Sequence, residues 1–293
     1  MDESNALKHY FEAQVAEGVM LDVGAHRGGS CGPFLRSGWT VYAFEPDTEN
    51  RRQLEDLAAR YPKLAIDDRA VSDFESGAAA FYRSPLSSGI SSLSAFDPSH
   101  VANGSVGVTT LRSFCAARGI ERVDFLKVDT EGHDLFVLRG FPWESMQPSV
   151  ILCEFEDQKT EPLGYGCKDM GRLLIENGYR VLVSEWHPIV AYGAEHSWSR
   201  FQVFSDQLDC RESWGNLIAF RDEVDWVRLC NSIAYSLMVS SHSREEALTA
   251  RKAKADEELA YMGSSWSWRM TYPLRVGQIA LKKAMRAVFG NRE

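Results

Sequence analysis

Paired cysteines are missing from this sequence of 293 residues: Cys31, Cys115, Cys153, Cys167, Cys210 and Cys230 are scattered, with no C-x-x-C and no zinc-site spacing. That pattern fits a reducing cytoplasm and excludes a disulfide scaffold. No stretch approaches the roughly 18 uninterrupted apolar residues of a spanning helix. Residues 1–10 carry Asp2, Glu3 and Lys8 and no apolar core, so no signal peptide is expected there. An excess of positive charge is missing too. With 32 Lys+Arg against 41 Asp+Glu the formal net charge is −9, which argues against gripping nucleic acid by its phosphates. The expected location is the cytoplasm, either soluble or peripheral at the inner face of a membrane.

What is present is enough for a full core, at 44% hydrophobic and 25% charged residues. From Val19 to Phe220 short apolar runs alternate with amphipathic stretches, which predicts an α/β fold around a parallel sheet. Strands are expected at Val19–Val23, Thr40–Phe44, Leu64–Ala70, Phe125–Val128, Val150–Phe155, Arg180–Ser184 and Leu217–Phe220. Helices are expected at Gly32–Ser37, Asn50–Tyr61, Leu111–Ala117, Asp134–Arg139 and Lys168–Asn177, with Gly119, Gly140 and Gly178 at their C-caps. Ser84–Gly107 is rich in Ser and Gly and reads as a long loop, a position substrate lids often take. After Phe220 the pattern is helical only, at Val224–Met238 and Arg244–Met262. This divides the chain into a domain of residues 1–222 and a helical extension, 223–293. The last segment, Thr271–Gly290, sets Leu274, Leu281 and Met285 against Arg275, Lys282, Lys283 and Arg286. Such a basic amphipathic helix suits an anionic membrane surface, its own domain or a partner protein.

The first strand runs into Leu21-Asp22-Val23-Gly24-Ala25-His26-Arg27-Gly28-Gly29-Ser30, and the second ends in Phe44-Glu45-Pro46. A glycine turn between strand and helix, followed roughly twenty positions later by an acid, is the pattern that holds a nucleoside cofactor by its ribose hydroxyls. Two departures separate this turn from a dinucleotide site. His26 replaces the middle glycine that lets a pyrophosphate touch the backbone, and Asp22 places a carboxylate where the dianion would sit. The same acid attracts ammonium and sulfonium groups.

These runs, together with Lys127-Val-Asp-Thr-Glu-Gly132 and Val137-Leu-Arg-Gly140, resemble the FkbM family of S-adenosylmethionine (SAM)-dependent methyltransferases over about residues 19–220. The resemblance implies a Rossmann-like class I methyltransferase fold with a mostly parallel seven-stranded sheet, SAM as donor, and O-methylation of sugars or natural-product hydroxyls. It places Asp22, Gly24 and Gly28, with Ala25, His26 and Ser30 of the same turn, at the methionine end of SAM. Glu45 falls at the ribose, Asp68 and Ala70 at the adenine, and Lys127, Asp129 and Glu131 on the floor of the site. The chain departs from the family at His26, where Asn is commoner, and at His133-Asp134, where a small residue and Glu are commoner. The Ser265-Trp-Ser-Trp-Arg269 run and the following Thr271-Tyr-Pro-Leu-Arg275 resemble a C-terminal motif of bacterial surface-polysaccharide enzymes, which directs the acceptor toward a glycan. It also makes a glycosyltransferase complex or a membrane the contact of the terminal helix.

Methyl transfer is an in-line displacement, so a hydroxyl acceptor needs alignment and a base for its proton. Asp129 is the first candidate base and Glu154 the second, with His133 and Lys127 beside them. Glu131, Glu156 and His187, with Ser91 and Ser92 of the loop, are candidate acceptor contacts. Asp129, Glu131 and Glu154 form a candidate Mg²⁺ site, since Mg²⁺ accepts one or two carboxylates and keeps several waters. Trp186, Trp198, Trp266 and Trp268 are candidate stacking surfaces. The N/D-P-P-Y/F run used on exocyclic amines of bases is absent. Three other readings stay open: a polyketide-type hydroxyl as acceptor, an NAD-dependent sugar oxidoreductase or epimerase, and a silent binding subunit. The second lacks both the pyrophosphate turn and a Tyr-x-x-x-Lys pair.

Overall fold

The structure is a computed structural model, and it describes residues 2–12, 14–85, 89, 91–189 and 196–264. In chain order the elements are α1 (Glu3–Phe11), β1 (Val19–Val23), α2 (Gly32–Arg36), β2 (Thr40–Phe44), α3 (Thr48–Ala58), β3 (Leu64–Asp67), β4 (Ala70–Val71), β5 (Ser76–Arg83), β6 (Val101–Thr109), α4 (Leu111–Arg118), β7 (Phe125–Val128), α5 (Asp134–Arg139), β8 (Val150–Glu156), α6 (Asp157–Thr160), α7 (Cys167–Glu176), β9 (Arg180–Trp186), β10 (Trp198–Val203), β11 (Trp214–Phe220) and α8 (Trp226–Ser264).

Eight strands form one sheet in the order β10-β9-β11-β8-β7-β1-β2-β3. The half from β3 to β8 is parallel, and β11 enters antiparallel between β8 and β9. The seven expected strands are all there, and β10 adds an eighth at the edge. Chain order reverses at β1, which lies between β2 and β7, so the crevice beyond their C-terminal ends is a topological switch point. One face of the sheet packs Phe114, Leu135, Leu138, Met170 and Leu174 of α4, α5 and α7; the other packs Leu7 and Phe11 of α1, Phe34 of α2 and Leu54 of α3. Alternation along β1 sends Met20 to the second face and Leu21 and Val23 to the first. Each fully buried side chain of this size contributes roughly 1.5–3 kcal/mol.

Several expectations change. Leu64–Ala70 is two strands, because the Asp67 carboxylate accepts hydrogen bonds from the backbone N and Nε of Arg69 (3.0 and 2.9 Å) and turns the chain. Beyond the bend β4 joins a separate three-stranded sheet, β4-β6-β5, so residues 101–107 of the expected loop are strand. Alternating burial is weak there because the outer half of β6 is exposed. Helix α1 was not among the expected helices, although Asp2, whose carboxylate accepts from Asn5 N at 3.0 Å, and the i, i+3, i+4 spacing of Leu7, Tyr10 and Phe11 carried its signal. Gly119 and Gly178 adopt positive φ at helix ends, whereas Gly140 is needed for closeness: a Cβ there would lie 2.3 Å from the Ser72 carbonyl.

The two expected C-terminal helices are one, α8, since neither Gly nor Pro falls between Met238 and Arg244 to end it. The chain divides into compact units at residues 1–236 and 237–293, within α8 rather than at Asp222. Its first turns belong with the sheet because Ser236 Oγ donates to Asp2 O (2.8 Å), Ser232 Oγ meets His9 Nδ1 (3.1 Å) and Tyr235 stacks on His9. The expected amphipathic helix 271–290, the 265–275 motif, Trp266 and Trp268 lie outside the described residues. Among those described, no helix is long and apolar enough to cross a membrane.

Candidate functional site

A cleft of about 280 Å³ opens over the C-terminal ends of β1, β2 and β7 and is walled on its far side by the small sheet. Its floor begins at the turn after β1, where Gly24 N and Ala25 N both donate to Phe44 O and Asp129 N donates to Val23 O. Gly24 has φ +78°, and a Cβ there would lie 1.8 Å from Asp129 O, so no side chain fits. His26 is held at φ 50°, in the left-handed region that Asn, Asp and His tolerate better than other side chains. Burial keeps its imidazole below the ordinary histidine value.

Glu45 follows β2 directly, lines the cleft and is buried. Asp47 N donates to its Oε1 at 2.8 Å. Burial raises its pKa to about 7, against hydrogen bonds from Asp47 N and His26 N. Ala70, Val71, Phe44 and Phe81 supply an apolar wall beside it. Asp129 faces the opposite end of the cleft and accepts a hydrogen bond from Lys127 Nζ at 3.0 Å. Burial disfavours the Lys127 charge, but the carboxylates of Asp129 and Asp22 outweigh it and raise its pKa.

The turn Thr130–Asp134 is tightly fastened. Thr130 N and Gly132 N donate to the Asp134 carboxylate (3.0 and 3.2 Å), Tyr165 Oη donates to Gly132 O (2.9 Å) and Ser92 Oγ donates to Glu131 O (2.9 Å). These bonds hold Glu131 at φ 55°, a strained value for a non-glycine residue. Its carboxylate lies on the cleft with Oε2 2.5 Å from Lys159 Nζ. Burial raises Glu131 to about 7 even though Lys159 pulls the other way. His133 also lines the cleft. Its ring sits against Phe136, and burial drops its pKa to about 4, so it is neutral near pH 7.

Not every candidate reaches the cleft. Asp22 lies beneath it, fully buried, with Oδ2 accepting from Ser30 Oγ at 2.6 Å and Oδ1 3.7 Å from Lys127 Nζ. Asp22, Ser30 and Lys127 therefore brace the floor from below and set its charge, and Ala25 and Gly28 shape the turn without lining it. Asp68 is exposed and off the wall, because the bend at Asp67 swings it outward; its neighbours Arg69 and Ala70 line the cleft instead. Ser91 is on the wall, as is Ser92, but the Ser92 hydroxyl is committed to the Glu131 carbonyl. Glu154 and Glu156 sit behind Glu131, and His187 is exposed away from the cleft with its carbonyl taken by Trp214 Nε1 (2.9 Å). Trp186 is buried against Trp214, Trp198 packs on Phe201, and neither lines the cleft.

Asp129, Glu131 and Glu154 do come together, one oxygen of each lying within 4.8 Å of the others. The space beside them is already cationic: Lys159 Nζ lies 2.5 Å from Glu131, 2.7 Å from Glu156 and 3.6 Å from Glu154. A divalent ion would have to displace this ammonium, so the donor set does not suit Mg²⁺ as it stands. Lys159 was missed from sequence, although its place three residues after Glu156 on the helix following β8 was the available signal.

The cleft does suit SAM. Glu45 can accept from two ribose hydroxyls, the apolar wall suits a purine, and the Asp129 carboxylate can accept from an ammonium. Thr130 Oγ1, on the cleft wall, is buried with no hydrogen-bond partner among the described residues, and so is left for a ligand.

Residues 22–181 match the family model described as Methyltransferase FkbM domain. No curated protein matches the chain. Among solved structures, precorrin-6y C5,15-methyltransferase from Geobacter metallireducens GS-15 is similar at 11% identity over 74% of this chain and 87% of that one, with a TM-score of 0.40. Magnesium protoporphyrin IX methyltransferase from Synechocystis PCC 6803 with bound SAM aligns at 11% identity over 75% and 77%, TM-score 0.39. The 1,6-didemethyltoxoflavin-N1-methyltransferase of Burkholderia thailandensis aligns at 14% over 76% and 78%, TM-score 0.38.

Proposed function

The chain belongs to the FkbM family of SAM-dependent methyltransferases, and from that premise we propose that it methylates a hydroxyl oxygen of a sugar or glycan. The observation that carries this is the placement of Glu131: it lines the cleft beside Asp129 with its carboxylate 2.5 Å from Lys159 Nζ, and burial raises its pKa to about 7, which suits a base working at neutral pH. A neutral amine presents a lone pair without help, but a hydroxyl must lose its proton as the bond to carbon forms.

When bound, SAM supplies a methyl group on a sulfonium. Glu45 would hold the ribose and Asp129 the ammonium. Glu131 takes the hydroxyl proton while the oxygen–carbon bond forms and the carbon–sulfur bond breaks, its electron pair leaving on sulfur. Lys159 stabilises the ionised Glu131 beforehand, and again once the protonated Glu131 has released its proton to solvent water. The buried charges of Asp22 and Lys127 keep the floor from moving. A polysaccharide assembled at the inner face of a membrane is the acceptor that the sequence of residues 265–290 favours, with that segment as the contact to the membrane or to a glycosyltransferase.

Calorimetric titration with SAM, S-adenosylhomocysteine and NAD⁺ comes first, followed by an assay for S-adenosylhomocysteine release with glycosides, polyketide-type alcohols and amines as acceptors. Micromolar binding of the sulfur nucleosides, indifference to NAD⁺ and turnover on glycosides are expected. Turnover confined to amines would sink the oxygen reading, and NAD⁺ binding would favour the oxidoreductase.

A further inference from the structure

A second cavity, of about 290 Å³, lies on the same edge of the sheet as the cleft. Glu156 ends β8, Trp214 begins β11 and Trp186 ends β9; register pairs Trp214 with both Glu156 and Trp186, which brings these ends together. Phe96, Asp97, Glu156, Lys159, Glu212 and Trp214 line it. The segment that contributes Ser91, Ser92 and Leu93 to the cleft contributes Phe96 and Asp97 to this cavity. One ion pair separates the two spaces, since Glu131 faces the cleft while its partner Lys159, 2.5 Å away, lines the cavity.

We propose that this cavity is the acceptor subsite, and that it holds an uncharged, polyhydroxylated ring bearing neither phosphate nor carboxylate. The proposal rests on the methyltransferase reading of the cleft. Trp214 is pre-set: Nε1 donates to His187 O (2.9 Å) and the ring lies 5.2 Å from that of Trp186. Phe96 is steadied by His100 edge-on at 4.6 Å and by Lys159 Nζ 5.4 Å from its centroid. Two aromatic surfaces suit the C–H faces of a sugar ring. The carboxylate oxygens of Asp97, Glu156 and Glu212 accept hydrogen bonds, so they match hydroxyl donors. Their three negative charges meet a single ammonium that Glu131 and Glu156 already occupy, and an anionic ring entering here meets repulsion.

The test uses the full chain saturated with S-adenosylhomocysteine. Methyl glucopyranoside, mannopyranoside and rhamnopyranoside are compared with methyl glucuronide and glucose phosphate, by saturation-transfer NMR and calorimetry. At least one neutral glycoside should bind, the anionic probes at least about tenfold more weakly, and Trp214→Ala should lose about tenfold while its affinity for S-adenosylhomocysteine stays within about twofold. That nucleoside affinity reports folding, and Phe96→Ala provides a second variant with the same expectation. The subsite is overturned if the nucleoside binds but no glycoside does, if anionic probes bind as well as neutral ones, or if both variants bind glycosides like the unaltered protein. Loss of nucleoside binding in the unaltered protein would instead overturn the methyltransferase reading, and this proposal with it.

Discussion

The cleft and the second cavity share one edge of one sheet, yet they are assembled differently. Gly24, His26, Glu45, Asp129 and Glu131 each sit within three residues of a parallel strand's C-terminal end, where the chain turns sharply. The second cavity draws on the antiparallel half, joining the end of β8, the start of β11 and a segment between β5 and β6. Parallel strands joined by helices put short turns side by side, so chemistry there can be written in local runs. Antiparallel pairing at β11 joins residues far apart in the chain, so the chemistry there emerges only once the register is set.

The largest expected effect separates the two regions at their boundary. Glu131→Gln should lower kcat by roughly 10²–10⁴-fold and leave the S-adenosylhomocysteine Kd within about threefold. In the unaltered enzyme kcat should rise with pH through about 7, as Glu131 loses its proton; the variant should lose that step. Its stability has the opposite sign. A carboxyl raised in the folded state from 4.5 to about 7 keeps its proton there while the unfolded chain ionises, so it destabilises the fold progressively as pH rises through that window. Melts of Glu131→Gln should therefore gain on the unaltered protein between pH 4 and pH 8, and a constant difference would remove the burial argument. If turnover survives the substitution, Asp129 becomes the base to test.

Next in size, Glu45→Ala should weaken S-adenosylhomocysteine by roughly 10–100-fold, through loss of charge-assisted hydrogen bonds, while glycoside binding in the second cavity persists. Simultaneous loss of both would mean that the two regions are not separable. Lys159→Met is expected to move the pH profile of kcat to higher pH, because the ammonium lowers the Glu131 pKa. An unmoved profile would reduce Lys159 to packing. Smallest of all, Asp68→Ala should change nucleoside affinity by no more than about twofold, since the side chain is exposed and off the wall. A larger loss would return Asp68 to the site.

Much of this was legible. The alternation of short apolar runs with amphipathic stretches showed β1, β2, β7 and β8, and Gly24, His26, Glu45, Asp129 and Glu131 of the quoted runs line the cleft. Asp129, Glu131 and Glu154 were singled out together and do converge. What was hidden depended on direction rather than identity. Asp22 is on β1 as predicted, but strand alternation and the register with Lys127 bury it under the floor. Asp68 lost its place to a two-residue bend, and Ser92 lost its hydroxyl to a carbonyl thirty-nine positions away. Trp214 was passed over in favour of Trp186 and Trp198, because nothing in the composition of those strands tells which tryptophan faces a cavity.

By itself the sequence determined the seven expected strands of the main sheet and the acids at their ends, because these follow from periodicities and residue preferences that act within a few residues. Only the tertiary structure decided that Lys159 stands among the acids, that Glu131 lies on the boundary between two spaces, and that Trp214 closes the second. Those outcomes depend on the register of β8 against β11 and on which groups lose water together, and both are set by pairings across the whole fold.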